Sequence, residues 1–132
     1  MRRLAVLSAV ALIVVAALAP AALAGEGSEL RGKWSGTLEG SVAGPEQLTV
    51  KVNAAETKGT WSTSATCHGK LMLQSISNGY HHYERIAAKG VAAGCNAGGV
   101  DCLKPTEEAG QILDVYVAAD GEESSGTFTR KR

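Results

Sequence analysis

The chain predicts an all-β fold, an eight-stranded antiparallel up-and-down barrel, on three observations. Apolar and polar residues alternate in eight short runs between residues 33 and 131. Helical periodicity is absent beyond the first 24 residues. A Trp opens the first run and an Arg closes the last, as expected of strands that meet when a sheet rolls up. Alternation of period two sends successive side chains to opposite faces of a strand. Eight strands suffice to close a barrel, and closure removes the exposed edges that invite aggregation. A two-sheet sandwich fits the same pattern and is the alternative.

Residues 1–24 read as a secretory signal peptide. Arg2 and Arg3 form the basic start, 4–18 the apolar run, and Ala22-Leu23-Ala24 the small-residue cleavage site. The apolar run is shorter than the roughly 18 residues a membrane span requires, so no stable membrane insertion is expected after cleavage. Residues 25–31 are expected to be a flexible N-terminal segment and 32–132 a single barrel domain. Removing Arg2 and Arg3 leaves 11 basic residues against 13 acidic ones, a formal net charge of −2. That balance argues against a nucleic-acid partner, which calls for a basic face, and gives no reason to expect adhesion to an anionic membrane.

The first strand, 33–40, sets Trp34, Gly36 and Leu38 against Lys33, Ser35, Thr37 and Glu39. After the Gly44-Pro45 turn, Leu48, Val50, Val52 and Ala54 share one face of the most regular strand. Residues 59–63 follow with Trp61 inward, then 68–76 with Leu71 and Leu73 inward. Asn78-Gly79 suits positive φ at both central positions of a hairpin turn, and 80–88 is the returning strand. Residues 95–99 form a loop, 100–103 a short strand ended by Pro105, and 105–110 has room for one helical turn. The faces of 111–118 are Ile112/Asp114/Tyr116 and Leu113/Val115/Val117. Asp120-Gly121 turns the chain into the last strand, 125–131.

Cys67, Cys95 and Cys102 cannot all pair within one chain. Export would place them in an oxidising compartment, where disulfides persist. A Cys95–Cys102 bridge would span a hairpin. A Cys67–Cys95 bridge closes a longer loop, stabilises by about 3–4 kcal/mol in the chain-entropy model, and is favoured. The remaining thiol is either a buried core residue, the favoured reading, or a site of intermolecular pairing.

Gly32-x-Trp34 on the first strand and Thr127-x-Thr129-Arg130 on the last resemble the calycin pattern of lipocalins, fatty-acid-binding proteins and avidins. That resemblance implies an indole packed beneath the barrel and covered by the basic residue, so Trp34 and Arg130 would form a structural latch at the closed end. Stacking of a guanidinium on an indole contributes about 0.5–2 kcal/mol. Leu30-Arg31-Gly32-Lys33-Trp34 also resembles an avidin opening. Gly36 and Glu39-Gly40-Ser41 stand where that family binds biotin, so biotin is not carried over. The order Gly32-x-Trp34, Cys67-x-Gly69-x-Leu71, Tyr83-Glu84, Cys95-x-x-Gly98-Gly99 and Gly126-x-Phe128-x-Arg130 is similar to small secreted or extracytoplasmic bacterial domains of actinomycete type. There the two cysteines match Cys67 and Cys95, and the role implied is ligand sensing or adaptation.

His81-His82-Tyr83-Glu84 is the richest cluster for chemistry. Neighbours on a strand diverge, so His81 and His82 cannot chelate one ion. Tyr80, His82, Glu84 and Ile86 share a face, which makes Tyr80, His82 and Glu84 the candidate ligand anchors at a barrel mouth. A zinc site would need a further ligand; neither a metal nor a cofactor is expected. Glu84 and Asp114 interrupt apolar alternation, and if inward they require Arg130, Arg85 or His82 as partners. No Gly-x-Ser-x-Gly elbow is present, and catalysis is not expected. The sequence thus reads as a secreted, extracytoplasmic, non-catalytic binding module. Its ligand would be an unknown small molecule held at the mouth, or a secreted protein held on the loops. The alternative is an inhibitor of a secreted protease or lysozyme that inserts residues 25–30.

Overall fold

The computed structural model describes residues 29–40, 44–91 and 94–132; the signal peptide and residues 25–28 lie outside the described residues. The strands are β1 (Gly32–Leu38), β2 (Glu46–Val52), β3 (Lys58–Ser64), β4 (Cys67–Ser77), β5 (Tyr80–Ala87), β6 (Val100–Pro105), β7 (Gln111–Val117) and β8 (Glu123–Lys131). Each pairs antiparallel with the next, and β1 pairs with β8, so the sheet is a closed eight-stranded barrel and not a sandwich. The described residues contain no helix, and 106–110 is a loop. None of them forms a helix long and apolar enough to cross a membrane.

Trp34, Leu48, Val50, Trp61, Leu71, Tyr83, Leu103, Ile112 and Phe128 are all at most 1% exposed and fill the interior. Each such side chain contributes about 1.5–3 kcal/mol through burial. Up-and-down connectivity puts residues 53–57, 78–79, 106–110 and the C-terminus at one end, and 64–67, 94–99 and 118–122 at the other.

The first end is closed. Trp34 and Arg130 are opposed in the β1–β8 register, with the guanidinium 4.3 Å from the indole centroid. Arg130 Nη1 also donates to the Arg31 carbonyl at 2.8 Å. Gly32 lies beneath at φ +119°, where a Cβ would come within 2.5 Å of Arg130 Nη1, so the latch itself requires glycine there. Leu30 is buried beside it. Its N–H donates to Glu56 Oε2 at 3.0 Å, and its carbonyl accepts from Trp34 Nε1 at 2.8 Å. Leu30 is therefore fixed against the closed end just before β1 begins at Gly32, because an apolar side chain and two buried hydrogen bonds hold it in place.

Two further expectations are corrected, and a third strand face is decided. Ala54 is exposed, because β2 ends at Val52 and Asn53 starts a turn in which its N–H donates to the Lys58 carbonyl at 2.9 Å. In β5 the interior face is His81, Tyr83 and Arg85, so Tyr80, His82 and Glu84 face outward. In β7 the buried face is Ile112, Asp114 and Tyr116, while the more apolar Leu113, Val115 and Val117 are half-buried on the outer wall.

Candidate functional site at the open end of the barrel

The second end is open. A cavity of about 530 Å³ lies there, lined by Leu38, Glu46, Thr63, Asn96, Tyr116 and Ser124 among others. Its wall is rigid for two reasons. The Cys67–Cys95 disulfide ties the loop before β6 to the start of β4, and both cysteines line the cavity. Disulfides form and persist in oxidising compartments, which points to an extracytoplasmic environment.

The second reason is Arg85, fully buried beneath the cavity. Its Nε and Nη2 donate to the two Asp101 oxygens at 2.8 and 2.9 Å. Its Nη1 donates to the Asn96 carbonyl at 2.8 Å and to Glu46 Oε1 at 3.2 Å. The guanidinium stacks 3.8 Å from the Tyr116 ring centroid and 5.1 Å from that of Trp61. One side chain thus fastens β5 to β2, β6, β7 and the 94–99 loop. Burial disfavours the Arg85 charge, but the Asp101 hydrogen bonds and charge, with Glu46, outweigh it, and its pKa is raised above the ordinary arginine value. Tyr116 OH donates to Asn96 Oδ1 at 3.3 Å, and burial pushes its pKa up.

Asp114 lies on the same inner wall and is fully buried, yet neither carboxyl oxygen has a hydrogen-bond partner. Burial, then the nearby Asp101 charge, holds its pKa well above the usual carboxylate range. Arg85 bonds Asp101 and not Asp114, so burial and the neighbouring Asp101 carboxylate both favour the neutral form of Asp114. The sequence flags Asp114 as an inward charge in need of a partner; the fold satisfies it by neutralisation, since an isolated buried carboxylate costs too much.

Cavity chemistry follows from its lining. Glu46, Asp120 and Glu122 bring carboxylates to it, and among the described residues no Lys or Arg lines it. Arg85 lies below, engaged with Asp101 and Glu46. The arrangement suits a neutral polar or cationic small molecule and disfavours an anion.

Tyr80, His82 and Glu84 stand elsewhere. Tyr80 and His82 make an edge contact on the outer wall, ring centroids 6.4 Å apart. Tyr80 is at the latch end of β5, and Lys104 Nζ lies 5.2 Å from its ring centroid. His82 Nε2 lies 3.0 Å from Ser77 Oγ, and its Nδ1 lies 3.2 Å from the buried Cys102 thiol. Glu84 instead accepts from Gln74 Nε2 at 3.4 Å. The three residues share a face but do not converge on the mouth. Burial, then Asp114, Asp101 and Glu123, pushes the Cys102 thiol up to about 11, so it is a weak nucleophile. Among the described residues no three of His, Cys, Asp and Glu gather as a metal site.

Arg85, Asp101, Glu46, Asn96 and Tyr116 are the residues that sequence reasoning missed as a group. Arg85 alternates with Tyr83, and Asp101 with Leu103. Pairing two opposite charges at like positions on neighbouring strands was the available signal.

No protein-family model matches the chain, and no curated protein matches it. A solved structure titled as a de novo designed fluorescence-activating β-barrel is similar to it. The TM-score is 0.53 and the identity 17%, covering 80% of this chain and 96% of the designed one. That likeness is one of fold.

Proposed function

We propose that the protein is a secreted, non-catalytic, calycin-like binding module that takes a small neutral polar or cationic molecule at the open mouth. The observation that carries this reading is the cavity of about 530 Å³ at the end opposite the Trp34–Arg130 latch, whose described lining carries acidic and no basic side chains. Pockets of about 300–1,000 Å³ are the usual size for small ligands. The packed interior below restricts the ligand to the mouth. Arg85 and the disulfide preorganise the wall, which lowers the ordering cost of binding. From the designed barrel only the architecture carries over. Inhibition of a secreted hydrolase is the weaker reading, because Leu30, at the end of the inserting segment, is core.

The test is native mass spectrometry of protein purified from a secreting host, followed by thermal-shift titration with spermidine, choline, glucose and citrate. Binding of a cationic or neutral probe is expected, with Asp120→Asn/Glu122→Gln weakening the cationic ones by about tenfold, the scale of one or two charge contacts. Citrate binding best, or a ligand lost on changing Tyr80, His82 and Glu84 but not the mouth, would sink the proposal.

A further inference from the structure

The near-zero net charge of this chain conceals a segregation. Read straight across the outer wall, Lys131 stands opposite Lys33, Lys33 opposite Lys51, Lys51 opposite Thr60, and Thr60 opposite Lys70. All four lysines are exposed, and exposed Lys58 stands one row away, opposite Met72. Directly opposed residues on one sheet face have Cβ atoms about 4.5–5.5 Å apart, and like charges so placed destabilise the sheet. Among the described residues none of the five lysines makes an ion pair; the ion pairs present use His81 and Arg85. The only carboxylate in β1–β4 is Glu46, which turns to Arg85 at the mouth. Between the strands lies a shallow trough of about 550 Å³, lined by Lys51, Lys58, Thr60 and Lys70 with Asn53, Gly59 and the exposed Met72. Within the described residues no carboxylate pairs with this row, which leaves its charge open to an anionic partner.

Geometry selects among anionic partners. The row crosses β8, β1, β2, β3 and β4, five of the eight strands, and so follows more than half the girth of the barrel. A flat bilayer touches a convex barrel along one line and reaches only part of such a row, whereas a flexible chain can follow it. No Phe, Tyr or Trp faces outward on these strands, so the stacking platforms that single-stranded nucleic acids use are missing. Strands repeat about every 4.8 Å, a spacing on the scale of successive sugars, and the exposed Thr60 hydroxyl stands within the row to bond a ring hydroxyl. We infer that this wall is a docking surface for a linear acidic polysaccharide carrying carboxylate or sulfate groups, independent of the mouth site.

The experiment titrates the purified protein with polygalacturonate and with heparin. Parallel arms use single-stranded DNA and phosphatidylglycerol vesicles. Lys51→Gln/Lys70→Gln removes two charges from the row, Lys58→Gln/Lys131→Gln removes two others, and Lys89→Gln/Lys104→Gln removes two elsewhere. Each row variant should lose about tenfold or more in polysaccharide affinity and show a shallower salt dependence, while the off-row pair stays within about twofold. Melting temperatures at or above that of the parent are expected for the row variants, which shows that they fold. Equal losses in all three variants, no binding to either polysaccharide, or tighter binding to DNA or vesicles would overturn the inference.

Discussion

Replacing Arg85 by Met removes the charge that holds the mouth while keeping much of the volume between Tyr116 and Trp61. Arg85 and Asp101 are both fully buried and share two hydrogen bonds of 2.8 and 2.9 Å. Removing one partner of such a pair leaves an uncompensated buried charge, at a cost of about 3–5 kcal/mol. Loss of stacking on Tyr116, at 3.8 Å, adds about 1–2 kcal/mol. Glu46 adds little, since its side chain is 23% exposed and solvent screens it. Marginal domains have 5–15 kcal/mol in total, so Arg85→Met should consume much of the stability. Arg85→Met/Asp101→Leu should recover most of it, because replacing both members of a buried pair by apolar groups is often neutral or stabilising. Guanidinium unfolding followed by Trp fluorescence gives the full cycle, with a coupling of at least about 2 kcal/mol expected. A single-variant cost below about 1 kcal/mol, or a double variant costing the sum of the two singles, would refute the claim that this pair organises the open end.

Opening the Cys67–Cys95 bridge, whose partners are 28 residues apart, should cost about 3–4 kcal/mol in guanidinium unfolding of Cys67→Ala/Cys95→Ala. Asp114→Asn should change the pH dependence of melting. The folded pKa of Asp114 is raised, so its contribution is fully present below the unfolded value of 3.8 and is lost as pH rises above it, when the unfolded chain gives up a proton that the folded chain keeps. Melts between pH 3 and 8 should therefore show the variant gaining on the parent as pH rises, and parallel curves would contradict a protonated Asp114. Arg130→Gln removes the indole cap and the bond to the Arg31 carbonyl and should cost about 1–2 kcal/mol, read from the shift in denaturation midpoint.

Sequence reasoning placed candidate ligand anchors from β5 at the barrel mouth, whereas Tyr80, His82 and Glu84 lie on its outer face and other residues line the cavity. The latch followed from Gly32-x-Trp34 and Arg130, and a mouth opposite it followed from the latch. The anchors did not, because β5 offers two faces of nearly equal polarity, Tyr80/His82/Glu84 and His81/Tyr83/Arg85. Alternation identifies two faces without saying which is inside. That choice was made by Asp101, contributed from the neighbouring strand β6, which makes a buried Arg85 affordable. β7 repeats the lesson. Its inner face carries Asp114 and Tyr116 because Arg85 stacks on the Tyr116 ring, while Val115 and Val117 stay on the wall beside Cys102 and Val100.

What the sequence determined by itself is what period-two patterning and turn chemistry encode locally: eight strands and the Asn78-Gly79 hairpin, while the tertiary structure decided between barrel and sandwich and between the two possible bridges. Tertiary structure alone decided which polar residues go inside, where the unpaired Asp114 hides, and that scattered lysines fall into one row. Those outcomes depend on register between strands distant in sequence. Register is set by the sum of cross-strand contacts around the closed barrel, and no single segment carries it.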